Sequence, residues 1–218
     1  MKRLTDITLC LFALVVLGPV MLLAALAIKL SSRGPILYIA PRMGRFGVPF
    51  GQLKFRTMRI GADRQGAFTA KNDSRVFFVG KLLRLTKVDE LPQVFNVLQG
   101  EMSIVGPRPE DIKTVENYYT AEQCRVLDVL PGLTGLPQVR YFPELSIIDT
   151  GGMDPQEHYC RFILPMRLEM DMEYIRKQGF FYDLFLIGWT VSLILFKAPL
   201  LVLGYRPAPV SMQVFAQK

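Results

Sequence analysis

The sequence predicts a small, helix-rich mixed α/β body carrying one apolar N-terminal helix, and three observations lead there. From Ile7 to Ile28 no residue is charged, a run about long enough, as a single helix, to cross a hydrocarbon core. From Pro35 to Met58 the pattern changes to a strand, a glycine-containing turn around Gly44 to Gly51, and a second strand in which Leu53, Phe55 and Thr57 alternate with Lys54, Arg56 and Met58. Beyond it the spacing becomes helical, with Leu91, Val94, Phe95 and Leu98 at i, i+3, i+4 and i+7. With 218 residues, 50% of them hydrophobic, the chain can bury one core, so one catalytic body at 31–200 is expected between a membrane segment at 1–30 and a tail at 201–218.

The apolar run admits three readings. A cleaved signal peptide has the basic start Met1-Lys2-Arg3 and the small-x-small triplet Ala25-Leu26-Ala27 in its favour. A spanning helix has the length. A re-entrant helix has Gly18-Pro19 in the middle, where proline removes a hydrogen bond and a break is expected. It also has basic residues on both flanks, Lys2 and Arg3 before and Lys29, Arg33 and Arg42 after, which draw both ends toward the cytoplasm. A second apolar stretch, Phe180 to Phe196, is short for crossing and suits an interfacial or core-packed helix, with Trp189 near headgroup level.

Between these segments, Asn72-Asp73-Ser74 is read as the cap of a helix running to about Leu85. A second helix is expected to start at Asp89, with Pro92 in its first turn and Gly100 as its stop.

A formal charge of +7 favours partners bearing phosphate: lipid headgroups, nucleotides or nucleic acid. Cys10, Cys124 and Cys160 are far apart with no paired spacing, which suggests neither a disulfide framework nor a zinc site. With His158 as the one histidine, triads and histidine metal sites lack material, and carboxylates are left to carry acid, base or nucleophilic chemistry. His158 itself is expected on the surface or in a loop.

The candidate centre is Asp89-Glu90. A helix start would set both carboxylates beside unpaired N–H groups, an environment that favours ionised carboxylates and phosphate alike. Arg84 and Lys87 lie just upstream, and Gly106-Pro107-Arg108-Pro109 forms a stiff loop presenting an arginine suited to bidentate phosphate binding. Strand alternation puts Lys54 and Arg56 on one face. Each feature also has a plain structural reading: a capping pair, a rigid turn, a solvated strand face.

Taken in order, these residues resemble the small monotopic phosphoglycosyl transferases of the bacterial sugar transferase superfamily. The resemblance lies in the proline-containing apolar helix, Lys-Phe-Arg-Thr-Met at 54 to 58, Leu-Arg-Leu-Thr-Lys-Val-Asp-Glu-Leu-Pro-Gln at 83 to 93, Asn-Val-Leu-Gln-Gly-Glu-Met-Ser-Ile-Val-Gly-Pro-Arg-Pro at 96 to 109, and Pro-Gly-Leu-Thr-Gly-Leu-Pro-Gln-Val at 131 to 139. It implies a re-entrant helix and a catalytic body with interfacial amphipathic helices on the cytoplasmic face of the bacterial inner membrane. It also implies transfer of a sugar 1-phosphate from a UDP-sugar, commonly an N-acetylated amino sugar, to polyprenyl phosphate. Carried over, Asp89 is the nucleophile and a Mg²⁺ ligand and Glu90 assists as a base. Arg108, Arg84, Lys54, Arg56 and Gln138 bind substrate. Membrane lipids are then partners, nucleic acid is not, and self-association is left open. The pattern departs after Val139, where Arg140-Tyr141-Phe142-Pro143 begins an individual stretch to Pro165, and resumes at Leu168-Glu169-Met170-Asp171 and Asp183-Leu184. The rival from another class is a basic, membrane-tethered protein that binds nucleic acid or anionic lipid without catalysis.

Overall fold

The first helix, α1, occupies Lys2–Ser31 in a computed structural model of the protein, which describes residues 1–62, 74–140 and 153–202. The break expected at Gly18-Pro19 is absent, because the helix is continuous through both residues. Pro19 lacks the N–H that would bond the carbonyl one turn back, and losing one rung allows a bend without ending the helix. Among the described residues α1 is the one helix long and apolar enough to cross a membrane.

Both ends of α1 dock on the body, while its middle is bare. Near the start, the buried Asp6 accepts the Ser103 hydroxyl at 2.8 Å and the Ile104 N–H at 3.2 Å. Lys2 donates to the Val105 carbonyl at 2.9 Å and the Tyr174 hydroxyl at 3.0 Å, and pairs with Asp183. Near the other end, Ala24 and Ile28 are buried with Phe55, Phe77 and Leu83. Between them Leu11, Phe12, Val15, Val16, Leu22 and Leu23 face outward.

The expected hairpin is present. Strands β1 (Leu37–Met43) and β2 (Pro49–Phe55) pair antiparallel from Leu37 opposite Phe55 to Met43 opposite Pro49. The turn between them needs two left-handed residues, Phe46 at φ 58° and Gly47 at φ 73°. Glycine adopts that region freely, whereas Phe46 is strained there and has the Arg45 guanidinium 4.3 Å from its ring centre.

Helix α2 (Phe78–Leu85) starts later than expected, capped at Phe77 rather than at Ser74; Asn72 and Asp73 lie outside the described residues. Gly80 lets α2 settle on the end of the hairpin: a Cβ there would stand 2.2 Å from the Thr57 carbonyl oxygen. Helix α3 (Gln93–Gln99) ends at Gly100, left-handed at φ 88°, as the sequence predicts.

A second sheet was not foreseen. Strand β3 (Ser103–Val105) pairs parallel with β4 (Gly132–Thr134), and two three-residue strands are too short for alternation to reveal. After β3 comes α4 (Ile112–Tyr118), and after β4 come α5 (Leu136–Arg140), α6 (Pro155–His158), α7 (Leu164–Lys177) and α8 (Phe180–Val202). One core gathers Val105, Leu136, Val139, Met170, Tyr174 and Leu186, from β3, α5, α7 and α8. Helix α8 packs one side into this core and leaves another uncovered: Leu186 is fully buried, while Phe181 and Phe196 are 82% and 72% exposed. His158 corrects an expectation, since it is buried at the end of α6 with its ring 5.3 Å from that of Phe162.

Replacing Gly80 by alanine should destabilise the fold by about 1–3 kcal/mol, the usual cost of forcing an extra carbon into a packed contact. Thermal unfolding in detergent checks this, and an unchanged Tm would show that α2 does not bear on Thr57.

Candidate active site

Asp89 does not begin an α-helix. It lies in a tight turn of 3₁₀ helix, Val88–Glu90, and α3 starts only at Gln93 with Pro92 as its cap. The reason is local. Lys87 is left-handed at φ 60°, which turns the chain sharply. The next amides then bond three residues back, Glu90 to Lys87 and Leu91 to Val88, both at 3.2 Å. The helix dipole invoked from sequence is thus displaced, and side-chain cations set the electrostatics, Lys87 from the same turn and Lys54 and Arg108 from other segments.

Glu90 takes the direct partners. Lys54, on β2, approaches it at 3.4 Å, and Arg108, on the loop after β3, at 3.6 Å. Burial acts to raise the Glu90 carboxyl, but Lys87, Lys54 and Arg108 together outweigh it and hold that group well below the usual carboxylate range. Lys54 shows the opposite balance: burial pushes its ammonium down to about 8, against the support of Glu90.

Asp89 is in a different position one residue away. It is 8% exposed, and its Oδ1 is buried without a hydrogen-bond partner. Burial first, and the neighbouring Glu90 charge second, lift its carboxyl to about 6 despite Lys54, Lys87 and Arg84. An oxygen that accepts no hydrogen bond, on a group still ionised at neutral pH, is available to a metal ion or an electrophile.

The structure therefore brings together Lys54, Arg84, Asp89, Glu90 and Arg108. Arg84 also donates to the Thr57 hydroxyl at 2.8 Å, which ties α2 to the residue that Gly80 packs against. The loop carrying Arg108 is fixed on both sides. Gly106 N–H donates to Thr134 O at 3.0 Å, Gly132 N–H to Pro107 O at 2.7 Å, and Met43 N–H to Glu110 O at 2.9 Å.

Arg56, which strand alternation put on the face of Lys54, points elsewhere. Strand β2 ends at Phe55, so alternation no longer applies one residue later. The Arg56 guanidinium turns to the end of α1, donating to Pro35 O at 2.6 Å, Ser32 O at 2.9 Å and the Ser32 hydroxyl at 2.9 Å. Gln138 stands on α5 with both amide atoms buried and unpartnered.

A second polar cluster escaped the sequence reading. Behind Arg108, Glu110 accepts Arg167 at 3.2 Å and the Tyr159 hydroxyl. Near them Asp171 is 2% exposed with an unpartnered Oδ1. Burial pushes its carboxyl up to about 7 against the pull of Arg167 and Arg108. These groups come from three separate stretches of chain, so no local spacing signals them.

The model of the family described as bacterial sugar transferase matches residues 1–197, and the chain belongs to that family. Relatives agree. A UDP-glucose:undecaprenyl-phosphate glucose-1-phosphate transferase of Caulobacter vibrioides is 39% identical over 89% of this chain and 69% of its own length. One of the same description from Klebsiella pneumoniae is 39% identical over 87% of this chain. A UDP-N-acetylgalactosamine-undecaprenyl-phosphate N-acetylgalactosaminephosphotransferase of Aeromonas hydrophila is 34% identical over 89%. The chain spans 39% of the Klebsiella relative's length and 43% of the Aeromonas relative's.

Two measurements check the division of labour. Arg56→Ala should lower stability by about 2–3 kcal/mol by removing the charge-assisted hydrogen bonds to Ser32 and Pro35, with little effect on diphosphate binding. Arg108→Ala should weaken titrated diphosphate binding about tenfold, the worth of one charge-assisted contact; the reverse pattern would reinstate Arg56 as a ligand. For Asp171, a folded-state pKa raised to about 7 means that the native state holds an extra proton above the unfolded value of about 3.9. Stability then falls as pH rises between those values. The Tm of wild type should drop relative to Asp171→Asn from pH 5 to 8, and parallel curves would show that Asp171 is not strained by its burial.

Proposed function

We propose that this protein transfers a sugar 1-phosphate from a UDP-sugar to a polyprenyl phosphate, with release of UMP, at the cytoplasmic face of the bacterial inner membrane. The observation that carries the reading is the inequality of the dyad: Glu90 engaged by Lys54 and Arg108, Asp89 withdrawn from water with a bare oxygen.

In the first step an Asp89 carboxylate oxygen attacks the β-phosphorus of the donor. The bond from that phosphorus to the bridging oxygen breaks, and UMP departs with the electron pair. An aspartyl-phosphosugar remains. In the second step a phosphate oxygen of the lipid attacks the same phosphorus, and the bond to Asp89 breaks, which returns the carboxylate. Splitting one displacement into two is what a carboxylate nucleophile offers. Arg108 binds the donor phosphates, with Lys54 and Arg84 adding positive charge where negative charge gathers. Glu90 is a poor base when its carboxyl lies so low. Its role here is to hold Lys54 and Arg108 in position.

Mg²⁺ suits this site. Among the described residues no group of three or more His, Cys, Asp or Glu could cage a metal, and Mg²⁺ is commonly held through one or two carboxylates with substrate phosphates and water. The bare oxygen of Asp89 would be the protein's ligand. When bound, the ion supplies neutralisation of phosphate charge.

The docking of both ends of α1 on one body supports the re-entrant topology, since a helix spanning the membrane would carry its far end away from the catalytic side. Both glucose and N-acetylgalactosamine appear in the relatives' names. The N-acetylated donor inferred from the resemblance is therefore one of two to assay side by side.

Incubation with labelled UDP-sugar and no lipid should leave phosphosugar mass on Asp89 with a burst of UMP. Asp89→Asn should lower UMP release by at least about 10³-fold, as loss of a nucleophile does. UMP formed only when lipid is present, with no adduct, would favour direct attack by the lipid phosphate. Undiminished turnover in Asp89→Asn would end the enzymatic reading at this centre.

A further inference from the structure

The crevice between the first turns of α1 and α8 belongs to no part of the chemistry above. It encloses about 330 Å³, with Lys2 and Asp6 on one wall, Phe180, Asp183 and Leu184 on the other, and Val105 between them. That volume lies at the lower end of the range in which proteins hold small ligands.

Its charged groups are already occupied with one another. The Lys2 ammonium has three protons and three acceptors, the Val105 carbonyl, the Tyr174 hydroxyl and Asp183. The second Asp183 oxygen accepts the Tyr174 hydroxyl at 2.8 Å. Both Asp6 oxygens accept from Ser103 and Ile104. Thr5 and Gln178 also line it, and each donates to the backbone of its own stretch, Thr5 to Met1 O at 3.3 Å and Gln178 to Ile175 O at 3.1 Å; the rest of the surface open to an occupant is apolar, from Phe180, Leu184, Ile187 and the Met1 side chain. Phe180 and Leu184 are each about half exposed. Such a lining favours hydrocarbon over a charged headgroup.

The position decides which hydrocarbon. The crevice opens beside the outward-facing Leu4 of α1 and Phe181 of α8, the two apolar helices of the chain. Its inner wall is Val105, the last residue of β3. Three residues further along the chain is Arg108, whose guanidinium is 3.6 Å from Glu90. Three residues of backbone extend at most about 11 Å. A chain seated in the crevice, at this end of β3, thus has its head within reach of the arginine that the transferase reading assigns to phosphate.

We infer that this crevice seats part of the isoprenoid chain of the acceptor lipid, an assignment that rests on the transferase reading above and adds to it the subsite that recognises the lipid by its tail. The Lys2 to Asp183 pair is then the closed end of that subsite, joining the two helices that form its walls.

The test uses the full chain in lipid nanodiscs with a polyprenyl phosphate carrying a photoreactive group on the chain. After irradiation, label should map to residues 1–5 and 180–187 and be displaced by unlabelled polyprenyl phosphate but not by phosphatidylglycerol. Label confined to other segments would overturn the assignment. So would equal displacement by phosphatidylglycerol, since that makes the crevice a general phospholipid contact. In parallel, Leu184→Trp, at a half-exposed position that tolerates bulk, should lower the ratio of kcat/KM for a long-chain over a two-isoprene acceptor about tenfold. An unchanged ratio would count against the subsite. If wild type turned over neither acceptor, the transferase reading would fall, while the photolabel would still report on the crevice by itself.

Discussion

Two carboxylates that are neighbours in sequence and both withdrawn from water cannot remain charged together unless positive charge is brought to them. Asp89 and Glu90 impose that requirement, and much of the fold meets it. Lys54 comes from β2, Arg84 from α2, Lys87 from the left-handed turn, and Arg108 from the loop after β3. Each arrival has a structural precondition. The hairpin register must hold, Gly80 must let α2 lie against Thr57, and the loop 106–110 must be fixed at both ends. The cations are shared unequally, and the inequality leaves the two carboxylates in different states. Glu90, directly paired, becomes a fixed anion, while Asp89 keeps a higher pKa and an uncommitted oxygen.

Helix α1 enters this arrangement through its polar residues. A charged side chain within an otherwise apolar helix costs free energy unless it is partnered. Asp6 meets that cost by receiving the hydroxyl of Ser103 and the amide of Ile104 on β3. Just past its far end the carbonyls of Ser32 and Pro35 receive Arg56. The apolar helix is therefore fastened to the strand that leads into the Arg108 loop and to the strand that carries Lys54. Its seating and the geometry of the dyad are mechanically linked.

What the sequence made legible was local. The hairpin follows from alternation, the end of α3 from Gly100, and the grouping of Lys54, Asp89, Glu90 and Arg108 from residue chemistry near one acidic pair and from family resemblance. What it concealed depends on long-range neighbours or on single dihedral angles. A left-handed lysine at 87 is an unusual conformation for a branchless L-residue, and nothing in its identity announces it. It moves Asp89 out of the helix in which its surroundings would place it. Strands β3 and β4 stabilise each other across the chain rather than by their own pattern. His158 reads as a loop residue until Phe162 packs on it. Arg56 shares a face with Lys54 only while the strand lasts, and the strand stops one residue too soon.

The cluster behind Arg108 shows why so much buried charge can stand close to the phosphate site we propose. Arg108 faces Glu90 on one side, and its charge is felt by Asp171 on the other. Were Asp171 fully ionised, it would compete with an incoming phosphate for the same guanidinium. Burial raises its carboxyl to about 7, so near neutrality the proton is substantially retained and that competition is reduced. Glu110 remains engaged with Arg167 and Tyr159, and its effect is to anchor the loop rather than to draw on Arg108. The result is an arginine on a loop fixed by backbone hydrogen bonds on both sides, a preorganised donor of the kind from which a bound anion gains most.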